Sequence, residues 1–224
     1  AITPRVIAGL AAVDRALVLK PGWERAVLLK SEILGAESRD LAAAYLQAYL
    51  QGNPGSRPAA GALAQIYVGQ KRYPEARAVF DALWATDKGN RDVQFGVAVL
   101  ALQDKDWKTA EALFEDLDRA DYGETGVIET YLAQIAEETG RTQLAYERYL
   151  AVPDSERGWL ARLRAAAMLG KLGRIDEARR YLADLPAVTQ EQRIQVRQAE
   201  AQLLRDAGDF AGALAVLEKG LSEH

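Results

Sequence analysis

Apolar residues recur along this chain at three- and four-residue steps, and the whole pattern then returns at a longer period. The segment KRYPEARAVF at 71–80 reappears as KDWKTAEALF at 105–114, GRTQLAYERY at 140–149, GRIDEARRYL at 173–182 and GDFAGALAVL at 208–217. The shared alanines are Ala76, Ala110, Ala145, Ala178 and Ala213, spaced 34, 35, 33 and 35 residues apart. A fainter copy places Ala42 one 34-residue step before Ala76. Its segment ends at Asn53-Pro54, and Pro21 closes an earlier helix running from Pro4 to Leu19. A second apolar cluster precedes each alanine: GALAQIY at 61–67, GVAVLA at 96–101, YLAQIA at 131–136, RAAAML at 164–169 and EAQLL at 200–204. Each period is therefore helix, turn, helix, turn.

Thirteen helices are expected, near 4–19, 22–35, 38–51, 57–70, 73–86, 91–103, 107–120, 125–138, 142–151, 156–171, 175–184, 189–206 and 210–222, with no sheet. One hairpin of this size cannot bury its own apolar face, so neighbouring hairpins stack into a continuous core. The repeated alanine must be small because two helices approach closely there. Tyr73, Trp107 and Phe210, with Phe80, Phe114 and Tyr149, are expected to fill the gap to the next hairpin. Gly140, Gly173 and Gly208 stand at turns where a left-handed backbone is needed.

Composition narrows the chemistry. The chain has no cysteine, which excludes disulfides, thiolate metal sites and a cysteine nucleophile. Its single histidine is the terminal His224, so a histidine-based triad or zinc site is not expected. The formal net charge of −4 lacks the basic excess of a nucleic-acid binder. No phosphate-binding glycine loop is present, and no cofactor is expected. Asp104, Asp106, Glu115, Asp116, Asp118 and Asp121 lack the glycine of a calcium loop and read as a solvated face. Glu137 and Glu138 are the best-placed acids for catalysis, but binding or solvation is the favoured role. No apolar run is long enough to span a membrane, and no secretory signal opens the chain, which starts at Ala1 inside a repeat.

The period and its residues resemble the tetratricopeptide repeat family. The resemblance implies an all-α, right-handed α-solenoid of stacked antiparallel helix pairs. It gives a leading half repeat at 1–21 and six repeats near 23–56, 57–90, 91–125, 126–158, 159–193 and 194–224, read as a single domain within a longer array. Lys30 stands where the family places a small residue, so the register of the first full copy can slip by one; Ala165 and Glu200 replace the usual leucine. The Thr-Pro-Leu-His motif of ankyrin repeats is absent, and the acidic balance disfavours RNA-binding pentatricopeptide repeats.

In this family the first helix of each repeat lines a groove that holds a protein partner. Carried over by register, the fifth position gives Val27, Gly61, Phe95, Thr130, Leu163 and Gln198, the ninth gives Ser31, Gln65, Val99, Gln134, Ala167 and Gln202, and the twelfth gives Leu34, Val68, Leu102, Glu137, Gly170 and Arg205. The lysine and asparagine ladder with which chaperone-binding relatives clamp a terminal carboxylate is missing. Phe95, Val99 and Leu102 make the middle of the groove apolar, suited to a segment with apolar anchors, unless Phe95 packs against a neighbouring helix instead. Val6, Leu10, Val13 and Leu17 of the half repeat are expected to be exposed along one side, as a stacking surface for preceding repeats.

A narrower likeness lies in ALVLKPGWERAVLLKSEIL, VQFGVAVLALQ, YLAQIAEETGR and EAQLLRDAGDFAGALAVL. These resemble the C-terminal half of long tetratricopeptide lipoproteins on the periplasmic face of the Gram-negative outer membrane. Some of these are adaptors for a carboxyl-terminal processing protease and its cell-wall hydrolase substrates. The likeness implies a non-enzymatic adaptor in the periplasm, whose lipidated cysteine would precede Ala1. Alternatives are a cytoplasmic scaffold, the helical arm of a cell-wall enzyme, and an RNA-binding repeat.

Overall fold

The computed structural model describes residues 4–123 and 126–222, with side chains described from 7 to 123 and from 126 to 220. His224 and the side chain of Val6 lie outside the described residues. Among those described there are thirteen helices and no strand. By contact the chain divides into two compact units, Ala1–Leu113 and Phe114–His224.

The first unit contains α1 (Pro4–Leu19), α2 (Glu24–Glu37), α3 (Arg39–Gly52), α4 (Arg57–Gly69), α5 (Tyr73–Thr86) and α6 (Arg91–Gln103), and the boundary falls inside α7 (Trp107–Arg119). Helices α2 and α3 pair, as do α4 and α5, and α2 also touches α4. Local chemistry fixes the ends. The Ser38, Ser56 and Asn90 side chains each accept a backbone N–H in the first turn of α3, α4 and α6. Ser56 also donates to Glu24 at 2.5 Å, tying the start of α4 to α2. The core gathers Val27, Leu46, Leu63, Tyr67 and Ala76.

The second unit contains α8 (Val127–Glu138), α9 (Thr142–Ala151), α10 (Glu156–Lys171), α11 (Ile175–Ala183), α12 (Gln190–Asp206) and α13 (Phe210–Ser222). Here α8 pairs with α9, α10 with α11 and α12 with α13, and α10 touches α12. Thr189 and Gln192 form a reciprocal capping box at the start of α12.

The repeated alanines behave as expected: Ala42, Ala76, Ala110, Ala145 and Ala178 are at most 1% exposed. Phe114 is fully buried and stacks on Tyr131 with ring centroids 4.8 Å apart. Phe80 lies so close to Gly96 that a Cβ added there would sit 2.4 Å from its ring, so α5 can meet α6 only across a glycine. Phe210, expected to fill a gap, is instead 70% exposed on α13.

Two expectations near the N-terminus are corrected. Helix α2 begins at Glu24, not 22, because Gly22 is left-handed at φ 75° and Trp23 is extended. The predicted exposed side of α1 faces inward: Val13 is buried, Leu10 is half-buried, and Leu17 packs against the core of the first unit. Ile7, Val18 and Leu19 are the large apolar residues of that helix that are exposed among the described residues.

One turn recurs five times between the two helices of a repeat, and again after α7, where Asp121 is left-handed and Tyr122 N–H reaches back to Leu117 O. Lys71, Lys105, Gly140, Gly173 and Gly208 are all left-handed, with φ between 60° and 84°. In each, the following N–H reaches back five residues, as from Arg72 to Tyr67 O at 2.8 Å and from Arg174 to Leu169 O at 2.9 Å. This double closure satisfies carbonyls that the helix end leaves unpaired.

Candidate functional site

The first helices of the repeats carry the candidate surface, and each unit presents it differently. In the first unit a cavity of about 580 Å³ opens between α2 and α4. Leu28, Ser31, Glu32 and Gly35 line it from α2, and Pro58, Gly61, Ala62 and Gln65 from α4. Small residues create the space: a Cβ added at Gly61 would meet nothing within 4 Å. Gln65, a predicted groove residue, is exposed at its edge.

Val27 is not part of that surface; it is 1% exposed in the core. The cause is the large residue at 30. Lys30 is half-buried, with its ammonium 2.7 Å from Asp14 of α1 and over the Tyr45 ring of α3, while Ser31 takes the buried small-residue place that Ala64, Ala98 and Ala133 hold in later copies. The register moves by one, and Leu28 replaces Val27 at the cavity. Leu102 is also buried, at 5% exposure in the last turn of α6, and so presents no side chain to a partner. Phe95 and Val99, on the same helix, are half-buried.

In the second unit the predicted positions are polar and mostly outward. Gln134, Gln198, Gln202 and Arg205 are exposed, and Gln202 bonds to Asp206 and Arg205. Thr130 turns its hydroxyl back to donate to Gly126 O at 2.6 Å. Leu163 packs against the core around Ala166 and Leu203.

Glu137 is the centre of a charged cluster. Its carboxylate accepts from Tyr149 Oη at 2.9 Å and from Lys171 Nζ at 2.9 Å, with an Arg164 nitrogen at 3.7 Å. Burial pushes this carboxyl up, but the bonds from Lys171 and Tyr149 and the two cations together outweigh it, holding the group below its ordinary value. The Tyr149 hydroxyl is pushed far above its usual range, first by burial and then by donation to that carboxylate. A glycosidase acid needs a raised pKa. Glu137 moves the opposite way, and its carboxylate bonds Tyr149 and Lys171 with Arg164 beside it.

Sequence register did not find Leu28, Glu32 or Gly35, because the slip at Lys30 hid them. It also passed over Arg157, Leu160, Arg164 and Lys171 on α10, although the seven-residue spacing of the three cations is visible in the chain. Among the described residues no cluster of acids or histidine has metal-ligand geometry, and no helix is long and apolar enough to cross a membrane.

Hairpins stacked at this period, closed by one recurring left-handed turn and lined by their first helices, define an all-α helical-repeat protein. The sequence profile of the tetratricopeptide repeat matches residues 34–100 and again 68–135, one 34-residue period further on. No curated protein matches the chain. Many solved structures do. A tetratricopeptide repeat protein from Parabacteroides merdae has a TM-score of 0.60 at 13% identity, over 97% of this chain and 86% of that one. YrrB, described as a TPR protein with an unusual peptide-binding site, gives 0.53 at 17% identity, over 79% of this chain and 91% of its own. A chain of the Naa15/Naa10 complex bound to HypK-THB gives 0.55 at 19% identity over 99% of this chain, which spans only 35% of that relative's length. At such identities the likeness is one of fold. The repeat profile thus covers residues 34–135, and along nearly the whole chain the likeness is to the helical-repeat fold.

Proposed function

We propose that this chain is a non-enzymatic scaffold that holds a segment of another protein on the first helices of its repeats. The observation that carries this is the open cavity between α2 and α4, floored by glycine and alanine and edged by Gln65 and Glu32. Such a surface admits a side chain or backbone segment of another protein. The peptide-binding site named for YrrB is in keeping with this role. The narrower proposal is a periplasmic adaptor between a carboxyl-terminal processing protease and cell-wall hydrolases. It rests on sequence phrasing, with the six repeats taken as one array.

Gly61→Leu tests the scaffold role cleanly. Leucine in place of a helix-interior glycine favours the helix by roughly 0.5–1 kcal/mol, while its side chain fills the cavity. Immobilised wild type should retain partner proteins from envelope or cytosolic extract of the native organism, and Gly61→Leu should lose them while melting no lower. Equal retention by both would overturn the assignment of this cavity, and a retained protease or wall hydrolase would support the adaptor role.

A further inference from the structure

We infer that the exposed face of α10 binds an acidic, extended segment of the partner protein, which builds on the scaffold function and specifies the partner's chemistry at the second unit. Arg157, Arg164 and Lys171 recur every seven residues and are all exposed. Two helical turns separate them, about 10 Å along the axis. Leu160 lies on the same face between the first two and is 53% exposed, offering one apolar anchor.

The row is only partly paired within the chain. Helix α10 carries Arg157, Arg162, Arg164 and Lys171 against the single acid Glu156. Arg162 turns away to pair with Asp154. Glu137 alone serves both Arg164 and Lys171, and Arg157 has no ion pair among the described residues. On the flanking helices, Gln134 of α8 and Gln198 of α12 are exposed, and neither amide has a partner among the described residues. An uncharged amide both donates and accepts, which suits the main chain of an extended strand. Such a strand advances about 3.3 Å per residue, so acids at every third residue match the spacing of the cations. Glu137 stands where the partner's carboxylate would stand between Arg164 and Lys171. It is an internal competitor.

The test uses a labelled synthetic peptide with Asp or Glu at every third residue and one leucine, titrated into the full chain by fluorescence anisotropy. The same peptide with Asn and Gln at the acidic positions is the control. The acidic peptide should bind, weaken as salt rises, and outcompete the control. Arg157→Glu should lower its affinity about tenfold, since attraction becomes repulsion at an exposed contact. Glu137→Gln should raise the affinity several-fold by releasing Arg164 and Lys171, a gain that loss of fold could not produce; circular dichroism checks both variants. Binding that ignores the acids, or that Glu137→Gln leaves unchanged or weakens, overturns the inference. If Gly61→Leu abolishes capture of the natural partner while Arg157→Glu does not weaken it, the α10 face is wrong and the scaffold function stands. If neither substitution affects capture, both fall.

Discussion

The two units solve the same folding problem with different residues at the same turn. Between the two helices of a repeat the first places Lys71 and Lys105 in the left-handed conformation and the second uses Gly140, Gly173 and Gly208, although Asp121 of the second unit takes the same conformation after α7. A side chain there adds strain that glycine avoids. Their first-helix faces also differ. The first unit offers a cavity floored by Gly35, Gly61 and Ala62, whereas the second presents the charged cluster of Glu137, Arg164 and Lys171. A shared repeat thus dictates where the backbone goes and leaves the exposed positions free to carry local chemistry.

The comparison can be broken most forcefully in the cores. Phe114→Ala removes a fully buried ring stacked on Tyr131 and should cost ~3–5 kcal/mol, read by urea denaturation. Gly96→Ala in the first unit drives a methyl into the Phe80 ring and should cost ~1–3 kcal/mol, although the same change in an open helix would stabilise. The turns come next. Lys71→Gly and Lys105→Gly should each stabilise by about 0.5–1 kcal/mol, and Gly173→Lys should destabilise by a similar amount. Equal melting temperatures across these exchanges would show that the turn difference carries no energy.

The smallest effect concerns pH. Glu137 has a folded-state value below its ordinary 4.5. Its contribution is therefore complete above that ordinary value and is lost as pH falls through the lowered one. Wild type should lose more stability than Glu137→Gln on acidification below about 4.5, measured by thermal melts across that range.

Much of this architecture is legible in the chain because buried small residues and turns repeat in register. The alanines from Ala76 to Ala178 and the turn glycines occupy the expected places. The outward positions are harder, since one displaced residue exchanges surface for core. Lys30 shows how: an ammonium cannot be buried where a small residue belongs, so Ser31 moves in, and Val27 goes to the core while Leu28 reaches the cavity. Leu102 and Phe210 depart for another reason. Whether an apolar side chain is covered depends on which neighbour packs beside it, and periodicity along one helix does not contain that information.

Hydrogen exchange of the chain with and without its captured partner tests the central claim most directly. Partner binding on the first helices predicts slowed exchange in α2 and α4, or in α8, α10 and α12, with little change in α3, α5 and α11. Protection confined to the second helices would contradict it.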